Sequence, residues 1–343
     1  AKTTYSMLGL RMEQVDDRLV LTPSGNLPYF PSGSILVVDE GGMSGTTLCE
    51  AIEQARVRCD LKVLYVGDPA QLPPVGEVHS PAWRITEDPS CRAMLRKVMR
   101  FDNQLLTLAT RLRECIREKN WESPLVSDHD ETGGVWKWKS QAVFERALLK
   151  RVEAGELEDS KVIAWRNKTV NRYNLMIRDA MGFKDPYCVG DSLLLAEPIQ
   201  RNGTIIAHID DEFKVTEVNE TILSSDNERV EVWRLSVVGE TILTLDVPKD
   251  PSHVDVILGR KAAIAQRSSG KERKAAWKDF WETKARFDKV RYGYAFTAHR
   301  SQGSTHTNVW VDQMDILSNP NKREGFRCLY VAATRPSKCL YSF

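Results

Sequence analysis

Asp39 and Glu40 stand side by side directly after the apolar run Ile35-Leu-Val-Val38. A carboxylate pair delivered by the carboxyl end of a strand suits nucleotide hydrolysis. One carboxylate holds Mg²⁺, directly or through water, and the other orients the attacking water. Asp39 is the expected metal ligand and Glu40 the expected water-orienting group. A second apolar run, Val63-Leu-Tyr-Val66, ends in Gly67-Asp68. Asp68 is thus the first polar group beyond a strand's carboxyl end, where open α/β sheets bind ligands. Pro73-Pro74 stiffens the exit and holds Gln71 on a rigid arch. Singly, each pattern is commonly a solvated strand end or a plain turn. Their close succession points to one site.

The elements that must position these groups are legible from periodicity. The first ten residues read as the tail of a helix. Arg18–Thr22 and Leu27–Phe30 read as a hairpin around Pro23-Ser-Gly-Asn26. Leu105, Leu108, Ala109, Leu112 and Ile116 recur at helical spacing and make one apolar face. Residues 118–139 are polar and glycine-containing, a linker between two sheets. A second α/β unit follows, with helix 140–154, strand 161–165, and helix 169–181 closed by Gly182 in the left-handed conformation. Residues 191–195, 213–218, 229–238, 241–247 and 254–258 read as five short strands, the pattern of a small barrel.

Residues 260–291 then read as helical, with eleven lysines and arginines against four acids. Trp277, Phe280, Trp281 and Phe287 are interleaved with these charges. Bases stacking on aromatics in a positive groove would use this mixture, Trp277 and Trp281 being the candidates. The alternative is an aromatic stripe packed on the barrel, the reading preferred for Phe280 and Phe287. Trp165 has the same two readings, a stacking platform or a core residue. Thr297, His299, Ser301 and Ser304 crowd donors around Gly303, where the backbone can approach a phosphate closely. Val309–Val311 and Leu340–Phe343 read as further strands.

With 343 residues, 42% of them hydrophobic, the chain can bury the cores of two or three domains. A net charge of +1 neither requires nor excludes nucleic acid. The seven dispersed cysteines fit thiols in a reducing cytoplasm, and the six scattered histidines suggest no metal site. No uninterrupted apolar stretch reaches the length of a membrane span, so no membrane association is expected.

Four strings in order carry a family resemblance. Gly67-Asp-Pro-Ala-Gln-Leu-Pro-Pro-Val-Gly-Glu77 closely resembles the motif linking nucleotide to nucleic acid in superfamily-one helicases, above all the RecD/Dda-like branch. Ile163–Asn174 resembles the region of the fourth motif. Thr297-Ala-His-Arg-Ser-Gln-Gly303 resembles the fifth, with Arg300 where lysine is usual. Tyr330-Val-Ala-Ala-Thr-Arg335 resembles the sixth. The resemblance implies two RecA-like P-loop NTPase domains, an inserted SH3-like β-barrel and a basic helical extension. The first RecA-like domain would span 1–117, incomplete and interrupted by a duplex-splitting hairpin at 13–32. The second would comprise 118–186 and 292–343, with the insertion at 187–291.

By the same resemblance the catalytic set is Asp39, Glu40, Gln71, Arg100 and Arg335, with Asp68, Gln302 and Gly303 at the nucleotide. Arg100 would reach the γ-phosphate, and Arg335 would be the arginine finger. Trp165, Asn167, Thr297, His299 and Ser301 would meet single-stranded DNA. The implied cofactors are ATP and Mg²⁺. The implied partners are single-stranded and fork DNA, with replication or recombination proteins, and the implied setting is a monomer in the cytoplasm of a bacterial or phage-infected cell. No G-x-x-x-x-G-K-[ST] phosphate loop occurs in the 343 residues. The family places it upstream of this region. The expectation is therefore a helicase lacking its first segment, inactive by itself. The rival expectation is a helicase-derived DNA-binding module without ATPase activity.

Overall fold

The computed structural model describes residues 4–343, apart from 16–17, 24–28, 85–88, 96–97, 99–103, 158, 202–203 and 226–227. The chain divides into two compact units, Ala1–Lys137 with Ser301–Ser342, and Trp138–Arg300 with Phe343.

In the first unit, strands Ile35–Val38 and Lys62–Tyr65 pair in parallel, residue against residue from Ile35↔Lys62 to Val38↔Tyr65. Helix Thr46–Cys59 connects them and buries Cys49, Ile52 and Ala55. Its last turn closes at Asp60, which adopts a left-handed conformation and bonds Arg56 O. Leu8, Leu36, Val38, Ile52, Ala55 and Leu61 form the core. The strand Ile35–Val38 was expected to be buried outright, but Ile35 and Val37 are 63% and 57% exposed. Alternation explains this, because successive side chains face opposite sides of a strand. The helix covers one side only.

The same unit contains a parallel array, His306–Val311 beside Pro336–Ser342 beside Gly134–Lys137. Helices Gln104–Glu118 and Lys322–Ala333 pack on one another nearby. The helical apolar face read from the sequence is buried at all five positions, Leu105, Leu108, Ala109, Leu112 and Ile116. The 118–139 segment is not a plain linker, since Gly134–Lys137 is a strand within it. Its glycines concealed this. Gly133 passes so close to the neighbouring strand that a Cβ would lie 2.3 Å from Lys338 O.

The amino-terminal hairpin also differs from expectation. Arg18–Pro23 pairs with Leu10–Val15, upstream, so the connection falls at residues 16–17 and not at Pro23–Asn26. A two-residue connection is the shortest hairpin loop, and Pro23, which has no N–H to donate, can end a strand but not continue a ladder. Both the connection and residues 24–28 lie outside the described residues.

In the second unit, strand Ser160–Ala164 is buried along its length and pairs in parallel with Ala295–Thr297. Helices Gln141–Glu153 and Asn167–Ala180 lie beside it in sequence. Gly182 closes the second of these at φ 77°, and Phe183 N reaches back to Arg178 O. An antiparallel sheet follows, in the order Ile242–Pro248, Glu228–Val238, Glu212–Ser225, Ser192–Leu195, Val290–Tyr292. Residues 254–258, expected as its fifth strand, belong to helix Pro251–Arg267. Asp250 caps that helix by accepting from Ser252 N at 2.9 Å, and Pro251 opens it. Helical starts of this kind override a short apolar run.

A buried ion pair roots the sheet beside helix Asn167–Ala180. Arg178 donates from Nε and Nη2 to Asp191, each at 2.9 Å, and to Asp185 O at 2.6 Å. Asp191 also accepts from Cys188 N and the Tyr294 hydroxyl. Both charged side chains are nearly inaccessible, at 5% and 0%. Among the described residues, no helix is long and apolar enough to cross a membrane. Removing one member of a buried pair strands the other charge, at a cost of about 3–5 kcal/mol. Asp191→Ala should therefore lower unfolding free energy by about that amount in urea titrations, and a loss below 1 kcal/mol would show the pair to be dispensable.

Candidate active site

The parallel register of Ile35–Val38 and Lys62–Tyr65 ends both strands at one edge. Backbone bonds carry the alignment past the strands, with Val66 N donating to Val38 O at 2.9 Å and Gly41 N to Val66 O at 2.7 Å. Asp39-Glu40 and the Gly67–Gln71 loop therefore emerge side by side. Glu40 is left-handed, at φ 48° and ψ 40°, a conformation that costs a residue with a Cβ roughly 1–2 kcal/mol. Asp39 Oδ1 accepts from Glu40 N at 2.8 Å, and Glu40 O accepts from Met43 N. These bonds hold the backbone twist at Glu40. Gly41 and Gly42 follow because side chains there would crowd Tyr65 and Trp83, at 3.1 and 3.2 Å.

Gln302 Nε2 donates to Glu40 Oε2 at 3.3 Å, joining residues 262 positions apart. The remaining amide oxygens of Gln302 and of Gln71 are buried acceptors without a partner among the described residues. Orphaned buried acceptors call for a donor. A water molecule about to be deprotonated is a donor of the right kind. Asp39 itself is exposed.

Arg335 is 2% exposed. It donates to Val331 O, Ser304 O and Thr334 Oγ1 at 3.0, 3.0 and 2.9 Å, and to Ser301 O at 3.4 Å. Its guanidinium thus props the turn that carries Gln302 and Gly303. Gly303 has φ 86° and open space around it. Ser301 is fully buried. Arg100 lies outside the described residues.

Asp68 is less available than its sequence position suggested. Its Oδ1 accepts from Arg113 at 2.5 Å and from Ala70 N at 2.9 Å, and its Oδ2 accepts from the Tyr330 hydroxyl at 2.6 Å. Arg113 and Tyr330 carried no sequence signal for this. One is a polar-face helix residue and the other reads as part of an apolar run. Glu77 was also missed, although it ends the Gly67–Glu77 string. Its carboxylate accepts from Thr46 N at 2.7 Å and Thr46 Oγ1 at 3.2 Å, capping helix Thr46–Cys59 from 31 residues away. Ser80 Oγ donates to Ser44 O at 2.6 Å beside it.

In the second unit, pairing of Ala164 with Thr297 sets Trp165 and Asn167 at the same strand end as Thr297 and His299. Ala298 N donates to Ala164 O across that end. Trp165 is half-buried, Asn167 exposed and Thr297 buried. Arg300 pairs with Asp210 at 2.5 Å. The basic segment is more neutral than its composition. Lys261 meets Asp279 at 2.6 Å, Arg260 meets Glu228 at 2.8 Å, and Lys284 and Lys289 share Glu197. Phe287 packs on the Val230, Val232, Val254 and Ile257 cluster. Trp281 is 57% exposed, edge-on to Phe280, which is itself edge-on to Trp277.

Residues 1–122 match the family model of an AAA domain, and residues 292–341 that of the UvrD-like helicase C-terminal domain. The ATP-dependent DNA helicase dda of Enterobacteria phage T4 is 23% identical, over 98% of this chain and 81% of its own length. An uncharacterised protein of Acanthamoeba polyphaga mimivirus is 22% identical, over 90% and 74%. Among solved structures, Bacteroides Pif1 bound to single-stranded DNA aligns over 99% of this chain and 78% of its own, at 14% identity and TM-score 0.45. The Pif1 helicase of Candida albicans aligns over 90% and 71%, at 15% identity and TM-score 0.42.

The Glu77 cap satisfies a helix N–H and places a negative charge at the positive end of the helix dipole. Glu77→Ala should cost about 1–2 kcal/mol of stability by denaturant titration, and an unchanged midpoint would refute the capping role.

Proposed function

Because the chain belongs to the superfamily-one helicases of the Dda type, we propose that it serves an ATP-dependent DNA helicase that moves 5′→3′ along single-stranded DNA. The observation that carries the reading is the convergence of Glu40, Gln302 and the Gln71 loop within one unit. A carboxylate that can take a proton stands with amide groups suited to orient a water molecule. Asp39, exposed at the same strand end, would hold Mg²⁺. The metal would neutralise charge on the transferring phosphoryl group. Arg335 would add positive charge from the Gln302 turn. No phosphate loop occurs in these 343 residues.

DNA would run along the strand ends that bear Trp165, Asn167, Thr297 and His299, with Trp277 and Trp281 as further stacking groups. Half-burial suits a Trp165 ring that offers one face to a base and rests the other on protein. Alternating closure and opening around ATP would convert hydrolysis to movement.

Two measurements test this. Glu40→Gln should bind ATP with affinity near that of the parent while DNA-stimulated hydrolysis falls about a hundredfold or more, the range for losing general-base catalysis. Hydrolysis within a few-fold of the parent would overturn the assignment. Trp165→Ala should weaken single-strand binding by about 1–3 kcal/mol with little change in melting temperature. A sharp fall in melting temperature with unchanged DNA affinity would make Trp165 a packing residue.

A further inference from the structure

Helix Lys322–Ala333 and the Gly67–Gln71 loop belong to motifs far apart in the chain, yet Asp68 joins them. Its carboxylate accepts from the Tyr330 hydroxyl at 2.6 Å and from Arg113 at 2.5 Å. Tyr330 is 6% exposed, and the Asp68 side chain is 20% exposed. Arg327, one turn before Tyr330 on the same helix, is 5% exposed. Its Nε has no partner among the described residues. Burial and neighbouring Arg323 weaken the hold of Arg327 on its proton, and Asp68 is the acid that counters them. Burial, followed by the nearby Asp68 charge, keeps the Tyr330 phenol protonated and therefore a donor.

The connections extend on both sides. Gln71 N donates to Asp68 O at 3.0 Å, closing a tight turn. Past Tyr330, Thr334 N donates to Tyr330 O at 3.1 Å, and Arg335 Nε to Val331 O at 3.0 Å. Hydrogen bonds, joined by short stretches of backbone, thus link Gln71 through Asp68 and Tyr330 to Arg335.

We propose that Asp68 is a positioning residue, a bridge to Tyr330 that makes the Gln71 loop and Arg335 move as one body during the catalytic cycle. The inference rests on the helicase reading and adds a role that reading does not need. Two groups that must reach one phosphoryl centre together lose effectiveness when they arrive independently, since misplacement of a fraction of an ångström weakens transition-state contacts first. Asp68 suits this task better than direct nucleotide contact, because an anionic carboxylate already serving three donors has little to offer a phosphate.

The test uses Tyr330→Phe, which removes one oxygen and leaves the ring in place, and Asp68→Asn, which preserves shape and removes charge. Both are made in the full-length protein and assayed for ATP turnover with and without single-stranded DNA. Tyr330→Phe should lower DNA-stimulated kcat about tenfold while KM for ATP stays within about twofold, the signature of an interaction made in the transition state. The double variant should be no slower than the slower single variant, because both remove one connection. Tyr330→Phe with parental kcat would overturn the bridge, as would additive losses in the double variant. A loss of melting temperature with kcat unaltered at a permissive temperature would reduce the bridge to a structural contact and also overturn it. If Asp68→Asn fails to fold, Tyr330→Phe decides alone. A parent protein with no DNA-stimulated turnover would overturn the helicase reading, and this inference with it. A competent parent beside an unaffected Tyr330→Phe overturns the inference only.

Discussion

Parallel pairing between Ile35–Val38 and Lys62–Tyr65 is the constraint on which the candidate site depends. Parallel strands finish at the same edge, so whatever follows each strand is delivered to the same place. Here the sequels are a carboxylate pair and the Asp68–Gln71 loop. The register is reinforced beyond the strands by Val66 N to Val38 O and Gly41 N to Val66 O. A one-residue slip would reverse every side chain and aim Glu40 elsewhere. The left-handed twist at Glu40 is tolerable because this edge is over-determined. Three glycines allow the close approach, with Gly67 itself within 3.2 Å of Gly41 N at its would-be Cβ.

Polar contacts bind this edge into its unit above the Leu36, Val38 and Ile52 core. Glu77 caps helix Thr46–Cys59, Ser80 closes the carbonyls of Gly41 and Ser44, and Arg335 holds the Ser301–Ser304 turn. Each contact reaches across long sequence separation. The amide oxygens of Gln71 and Gln302 are among the buried polar atoms without a partner among the described residues.

In the second unit the logic is similar but the charges differ in purpose. Of the eleven lysines and arginines between 260 and 291, four pair with Asp279, Glu228 and Glu197. Lys261 with Asp279 joins helix Pro251–Arg267 to the helix that follows, and Arg260 with Glu228 joins it to the antiparallel sheet. Paired charges at partly exposed sites contribute little stability each, but they lower the positive potential that a nucleic acid would feel.

Much of this was readable from residue order alone. Strands ending in Asp39-Glu40 and Gly67-Asp68, the apolar face from Leu105 to Ile116 and the left-handed Gly182 all follow from local rules of periodicity, chirality and turn chemistry. What local rules misjudged were segments whose partners lie far away in the chain. Residues 254–258 have a strand's composition, but Asp250 and Pro251 start a helix. Gly134–Lys137 has a loop's composition, but parallel pairing with Pro336–Ser342 makes it a strand. Arg18–Pro23 pairs upstream because a two-residue connection costs less chain entropy than a longer one. The sequence by itself determined which residues could do chemistry, because side-chain type and strand-end position are local properties. Only the tertiary structure decided which of them meet, Glu40 with Gln302 and Asp68 with Arg113 and Tyr330, because contacts across 262 residues depend on how whole elements pack and leave no trace in local spacing.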